Sequence, residues 1–148
     1  MDCDDSDTLI NPGATDIVAN GVDEDCDGMF QWYQDSDGDG YGSTTVVQSV
    51  NASPGSGESN NSMDCNDLDA AINPGATEIC DDIDNDCDGG IDNDAVDSSI
   101  FYIDADNDSY GDASVFVLAC SATAGYVTDN TDCDDNNADV NPEVRQKF

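Results

Sequence analysis

Residues 64–89 read DCNDLDAAINPGATEICDDIDNDCDG, and this stretch sets the plan of the chain because its pattern is copied upstream and begun again downstream. Eight of its 26 residues are Asp and one is Glu. Short acidic side chains recur at about every second position, so several carboxylates can converge on one hard cation. Two cysteines near the ends, Cys65 and Cys87, suggest a covalent clasp around such a cradle.

The upstream copy, residues 2–18 (DCDDSDTLINPGATDIV), matches residues 64–80 at a constant shift of 62. Asp2, Cys3, Asp5, Asp7, Ile10 and the whole run from Asn11 to Thr15 recur; after one extra residue, residues 22–28 answer residues 83–89. A third copy opens at Asp132, Cys133, Asp134 and Asp135 and reaches Asn141 and Pro142, after which Glu143 to Phe148 replace the Gly-Ala-Thr run. This is an internal repeat.

A second piece recurs between the copies: residues 32–42 (WYQDSDGDGYG) align with residues 101–111 (FYIDADNDSYG) at a shift of 69. Aromatic and β-branched residues flank each acidic loop, at 30–33 and 44–50 and again at 100–103 and 114–118. They predict two short β-hairpins whose turns are metal loops, with residues 125–128 as a third short strand. Residues 51–62 (NASPGSGESNNS) read as a flexible polar connector. N-x-Ser triplets begin at Asn51, Asn60 and Asn107, and the linker pair Asn51 and Asn60 are candidate glycosylation sites. Helix is expected for only about one turn, Asp69 to Ile72, because Pro74 and Gly75 stop it. The expected fold is therefore mostly irregular with small β elements: tandem Asp-rich loops, short hairpins, disulfides and little helix. Its modules are residues 1–63 (cradle 2–28, hairpin 30–50, linker 51–62), residues 64–131 (cradle 64–89, hairpin 99–128) and a partial third repeat, 132–148.

Composition points the same way. Thirty-five acidic residues face two basic ones in 148, for a formal charge of -33, and only 37% of residues are apolar. Self-repulsion at that charge opposes compaction, since carboxylates 4 Å apart repel by roughly 4 kcal/mol near a protein surface. Something cationic must offset it. Nucleic acid and anionic membrane are poor partners at this charge, and no apolar run approaches a membrane span. Met1 is followed at once by acidic residues rather than a signal peptide, so a processed form or an excerpt is expected.

The strongest local motif is D-x-D-x-D-G, in which positions 1, 3 and 5 offer side-chain oxygens, Gly at position 6 allows a sharp turn, and position 7 offers its carbonyl. Three stretches fit: Asp23, Asp25 and Asp27 with Gly28; Asp35, Asp37 and Asp39 with Gly40 and Tyr41; and Asp84, Asp86 and Asp88 with Gly89, where Asp92 holds position 9. A fourth, Asp104, Asp106 and Asp108 with Tyr110, has Ser109 in the Gly position, so a strained turn or weaker affinity is expected. None is an EF-hand, because position 12 is Val46 or Val115 in the hairpin loops. The missing ligands are expected from neighbouring acidic segments: Asp2, Asp4, Asp5, Asp7 and Asn11; Asp64, Asn66, Asp67, Asp69 and Asn73; and Asp132, Asp134, Asp135 and Asn141. Asp16 and Glu78 are candidate caps. All-oxygen ligation selects Ca2+ over zinc or copper, with roughly five to eight ions in all.

Seven cysteines with no His and no C-x-x-C argue for disulfides in an oxidising compartment rather than zinc. Cys80 aligns with Val18 and Cys120 with Asn51, so the first copy lacks both members together, which suggests Cys80–Cys120. Cys3 with Cys26 and Cys65 with Cys87 are kept in both copies and suggest pairs within each cradle. Cys133 is left unpaired or intermolecular.

The pattern DCDD, NPGATEIC and DNDCDG followed by WYxDxDGDGYG resembles the metal-binding repeat of MopE-like secreted bacterial proteins across nearly all of residues 2–142, with a looser similarity to thrombospondin type 3 calcium repeats confined to the acidic loops. That resemblance implies an extracellular or cell-surface protein. Two functions are open at this point. One is a calcium-stapled structural repeat, a spacer, adhesin stalk or head-to-tail filament subunit whose tail, 132–148, with Arg145 and Lys147, docks on the next subunit; a longer tandem array is the simpler alternative. The other is a calcium-dependent carbohydrate or surface-ligand module that uses Trp32, Tyr33, Phe101 and Tyr102 as platforms. No enzyme is expected, since acids are everywhere, His is absent and no Ser nucleophile has a base.

Overall fold

Aromatic and β-branched side chains suit a pleated, half-buried surface, and they fix where strands form in the computed structural model, which describes residues 3–144. The strands are β1 (Phe30–Gln34), β2 (Val46–Ser49), β3 (Glu58–Ser59), β4 (Ser99–Ile103), β5 (Phe116–Ala119) and β6 (Tyr126–Val127). They make two three-stranded antiparallel sheets, ordered β2-β1-β3 and β5-β4-β6. No helix is present among the described residues, and the fold is small, irregular β.

The chain divides into two compact units. One comprises residues up to Ala76 together with Asp84–Gly89; the other comprises Thr77–Ile83 together with residues from Gly90 onward. Each holds one sheet on the same plan. In the first, Trp32 pairs with Val47 and Tyr33 with Val46. In the second, Phe101 pairs with Val117 and Tyr102 with Phe116, and the last two rings lie 6.3 Å apart at 59°. Residues 58–59, inside the stretch read as a connector, add β3 to the free edge of β1, and Tyr126–Val127 add β6 to β4 in the same way. Left-handed Gly57 and Gly125 make both third strands possible: φ is 79° and 83°, and their carbonyls accept the amides of Asp35 and Asp104. The sheet edge thereby holds the first residue of each hairpin loop, Asp35 and Asp104.

The expected helical turn at Asp69–Ile72 is a hydrogen-bonded turn instead. The Ile72 amide bonds the Asp69 carbonyl, the Ala71 amide donates to Asp69 Oδ1, and Asn73 Oδ1 takes the Gly75 amide. Asp and Asn side chains offer backbone donors an alternative to helix, and this turn does so in all three copies, with Asp7 and Asn11 and with Asn137 and Asn141.

Four apolar residues are buried among those described, Trp32, Ile72, Ala95 and Phe101, against nine polar or charged ones. The interior is therefore mainly polar, and covalent links share the work of holding it. Cys3–Cys26, Cys65–Cys87 and Cys80–Cys120 are disulfides, closing separations of 23, 22 and 40 residues; Cys133 is a free, exposed thiol. In the chain-entropy model each bond contributes about 3 to 4 kcal/mol. Replacing Cys80 and Cys120 together by Ala should cost about that much in the second unit. Hydrogen exchange should quicken at the Cys80 and Val96 amides and stay unchanged at the Asp35 and Gly40 amides of the first unit.

Candidate metal centres

The four acidic loops share one backbone. Positions 4 and 6 are left-handed in each: Cys26 and Gly28, Gly38 and Gly40, Cys87 and Gly89, Asn107 and Ser109, with φ between 57° and 95°. The position-1 carboxylate organises the turn. Gly28 donates to Asp23 Oδ2, Gly40 to Asp35 Oδ2, Gly89 to Asp84 Oδ2 and Ser109 to Asp104 Oδ2, at 2.9 to 3.1 Å. Position 3 takes the position-5 amide through Asp25, Asp37, Asp86 and Asp106. Position 5 takes the position-7 amide through Asp27, Asp39 and Asp108, the last two from Tyr41 and Tyr110. Ser109 keeps the turn at φ 79°, a region where a side chain other than Gly, Asn or Asp is costly.

The two hairpin loops do not stand alone. In the first unit, Asp67 accepts both the amide and the hydroxyl of Ser36, at 2.7 and 2.8 Å, and the Asp64 amide bonds the Gly42 carbonyl. Asp64 and Asp67 thus join Asp35, Asp37 and Asp39. In the second unit, Asp135 accepts the Ala105 amide at 2.9 Å, the Asp132 amide bonds the Gly111 carbonyl, and Asp106, Asp132 and Asp135 bring one oxygen each within 4.8 Å of the others. Each centre is therefore built from a hairpin loop and the opening of the next sequence copy. For that reason the start of the repeat at residue 64 is not where the compact units divide.

The burial of these groups carries the chemical meaning. Asp64 is 9% exposed and Asp35 5%. Asp37 Oδ2, Asp39 Oδ2 and Asp64 Oδ2 in the first centre, and Asp106 Oδ2 and Asp132 Oδ2 in the second, are buried with no hydrogen-bond partner. A buried carboxylate oxygen left unpaired costs several kcal/mol. Burial first, and then the neighbouring carboxylates, push Asp37, Asp64 and Asp106 above the ordinary 3.8. Oxygen-only donors, several of them orphaned in one place, fit a hard divalent cation.

A third group, Asp16, Asp23 and Asp25, also has its oxygens within 4.8 Å of one another, and burial followed by Asp16, Asp27 and Asp23 raises Asp25. Other candidates make local hydrogen bonds. Asp4 accepts the Ser6 hydroxyl and amide, which hold it below the ordinary value. Asp7, Asp69, Asn11 and Asn73 close the turns described above. Asn66 donates its amide to Asp64, Asp134 donates its amide to Asp132, and Asn141 donates its side-chain amide to Asp108 at 2.6 Å. Asp92, expected at position 9, instead takes the amides of Asp81 and Asp82. Glu78 is buried and accepts the Asp92 amide at 2.7 Å. Asp5 is exposed, and Asp2 lies outside the described residues.

Glu24 is the structural residue that motif reading passes over. It is buried, accepts the Ile17 amide at 3.0 Å and the Asn20 side-chain amide, and braces the first cradle from inside its acidic loop. Its one sequence signal is position 2 of that loop. Of the four aromatic residues expected as platforms, Trp32 is 3% and Phe101 7% exposed, with the Trp32 indole donating to the Asn51 carbonyl at 3.0 Å, while Tyr33 and Tyr102 are half-buried. Large rings in a chain with so little other apolar matter are taken up by the sheets themselves.

No helix among the described residues is long and apolar enough to cross a membrane. No curated protein and no solved structure matches the chain. A family model described as "Putative metal-binding motif", the MopE type whose name refers to copper, matches residues 2–30, 64–93 and 132–145, together just under half of the chain. Those segments are the three sequence copies, two of which complete the hairpin-loop centres, and three stretches of the chain accordingly match the MopE-type putative metal-binding motif.

Proposed function

We propose that this is an extracellular calcium-binding structural protein in which cations fasten each hairpin loop to the next copy, making a spacer or stalk stiff without an oily core. The observation that carries the reading is the set of orphaned carboxylate oxygens, Asp37, Asp39 and Asp64 in one centre and Asp106 and Asp132 in the other. Calcium suits these centres better than copper, because the chain has no His and its only free thiol, Cys133, is not one of the orphaned donors. Magnesium keeps its waters and is less suited to a cage of many carboxylates. Three disulfides support an oxidising, extracellular setting. A structural role is favoured over catalysis because the chain has no His and its 35 acidic residues are spread along its length. It is favoured over sugar binding because the buried Trp32 and Phe101 offer no platform.

Calorimetry on the oxidised chain should show calcium uptake at both hairpin centres. Asp64→Asn should weaken the first centre and Asp132→Asn the second by roughly tenfold or more, each leaving the other unchanged, since affinity follows the number of charged ligands. Equal uptake by both variants and the parent would refute the assignment.

The pH dependence should invert with metal. Asp25, Asp37, Asp64 and Asp106 have raised values in the folded chain, so between 3.8 and those values the folded state binds more protons than the unfolded state. Chelated protein should therefore lose stability as pH rises above 3.8. Asp4, Asp112 and Asp129, held low by Ser6, Ser114 and Thr131, act in the window below 3.8 and give the opposite slope there. With calcium present, protons compete with the ion, and stability should instead rise with pH above 3.8. Thermal unfolding with and without chelator reads both slopes.

A further inference from the structure

The two sheets share a plan but differ on their outer strands. In the second sheet the Ile103 amide donates to the Val115 carbonyl. Residues 101 and 117 and residues 99 and 119 are therefore bonded pairs of the same kind, while Phe116 and Leu118 between them turn their amides and carbonyls away from β4. No strand pairs with that outer edge among the described residues. Phe116 is 56% and Leu118 64% exposed. The register sets Leu118 beside Ile100 and Phe116 beside Tyr102, so edge and face form one apolar surface. The first sheet has Gln48 beside Gln31 and Val46 beside Tyr33 in those places. Its β2 is an outer strand too, although a whole copy follows it, so the open edge belongs to the plan of the unit.

We infer that β5 is a self-association edge, pairing antiparallel with β5 of a second copy of the chain about a twofold axis at Val117. The inference goes beyond the calcium reading and uses the second unit alone. In that register Phe116 lies opposite Leu118 of the second copy and Leu118 opposite its Phe116, so the outward amides and carbonyls of both residues find partners. Cross-strand apolar pairs of this kind stabilise a sheet. Charge selects a second copy as the occupant. Residues 113–128 carry no charged side chain, and chains of formal charge -33 approach one another most readily where charge is absent. β5 also has neither the lysine nor the proline that blunts exposed edges in natural proteins. A cavity of about 140 Å3 opens beside Leu118, lined by Ala95, Ala119, Asp92, Asp94 and Ser98 as well. A cavity of ~150 Å3 takes a benzene ring, and the register delivers Phe116 of the second copy to Leu118. The rim of an aromatic ring is its positive part, which suits the carboxylates of Asp92 and Asp94 there. Covering this surface on both copies buries on the order of 1,000 Å2, the low end for a specific contact, so the dimer is weak and concentration-dependent. Because the contact is isologous, it closes at two chains.

The test uses the full, oxidised chain carrying Cys133→Ser, which removes the free thiol, in excess calcium, with mass measured by light scattering across a concentration series. Mass should rise from one chain to two and stop there. Added salt should tighten the dimer several-fold by screening the repulsion between acidic chains. Leu118→Pro removes an outward amide and no bond to β4, and should raise the concentration at which half the chains are paired by more than tenfold. Leu118→Glu, which changes only an exposed side chain, should do the same, and Gln48→Glu on the first sheet should not. Thermal unfolding of each variant checks that its fold is kept. Val117→Cys should cross-link two copies on oxidation, because the axis brings the two residues face to face. Monomers at every concentration, masses above two chains, or a dimer that salt loosens would overturn the proposal. So would a dimer that survives both Leu118 variants or that forms without cross-linking through Val117→Cys. Each of these outcomes leaves calcium uptake, read separately by calorimetry, to decide the metal reading.

Discussion

Negative charge crowded into short loops is the constraint on which this structure depends. The position-1 aspartates answer part of it inside the chain, since Asp23, Asp35, Asp84 and Asp104 each gather two backbone amides. Backbone donors are weak partial charges, however, and each loop adds two further carboxylates. In the hairpin loops the next copy brings two more, Asp64 and Asp67 or Asp132 and Asp135. Among the described residues no side-chain cation stands against them; the two basic residues of the chain, Arg145 and Lys147, lie outside those residues. The orphaned oxygens are the residue of that imbalance, and a bound divalent ion is the simplest way to remove it.

This inverts the usual relation between core and surface. In most small domains apolar burial supplies the main favourable term and polar groups are tolerated at the edge. Here Trp32 and Phe101 fill two thin sheets, while Asp16, Glu24, Asp35, Asp64, Glu78 and Asp104 are buried as well, at 4 to 9% exposure against 3% and 7% for the rings. Disulfides and loop hydrogen bonds limit the freedom of the chain, and the proposed ions carry the attraction. Such a scaffold suits an exterior setting, where thiols oxidise readily and free calcium is abundant.

The loops also show how one backbone accepts different residues. Gly40 and Ser109 occupy the same left-handed corner, and the same amide reaches the same carboxylate oxygen in both. The carboxylate, more than the glycine, defines the turn. Glycine lowers the conformational cost, which makes the Asp104 loop the more strained of the two hairpin turns.

The sequence by itself determined the repeat, the hairpins and the loop chemistry, because each is a local pattern: a two-residue alternation of aspartates, a left-handed corner, and aromatic residues on either side. The internal alignment also pointed to the covalent links, since Cys80 and Cys120 are absent together from the first copy. Only the tertiary structure decided that 64–76 packs with the hairpin before it, that residues 58–59 form a strand rather than slack, that Asp92 holds backbone amides, and that Glu24 is a buried brace. The physical reason is that an aspartate can serve a cation, a turn or a neighbouring amide equally well. Which of these it serves depends on what comes within 3 Å in space, and spacing along a chain so rich in aspartate does not specify that.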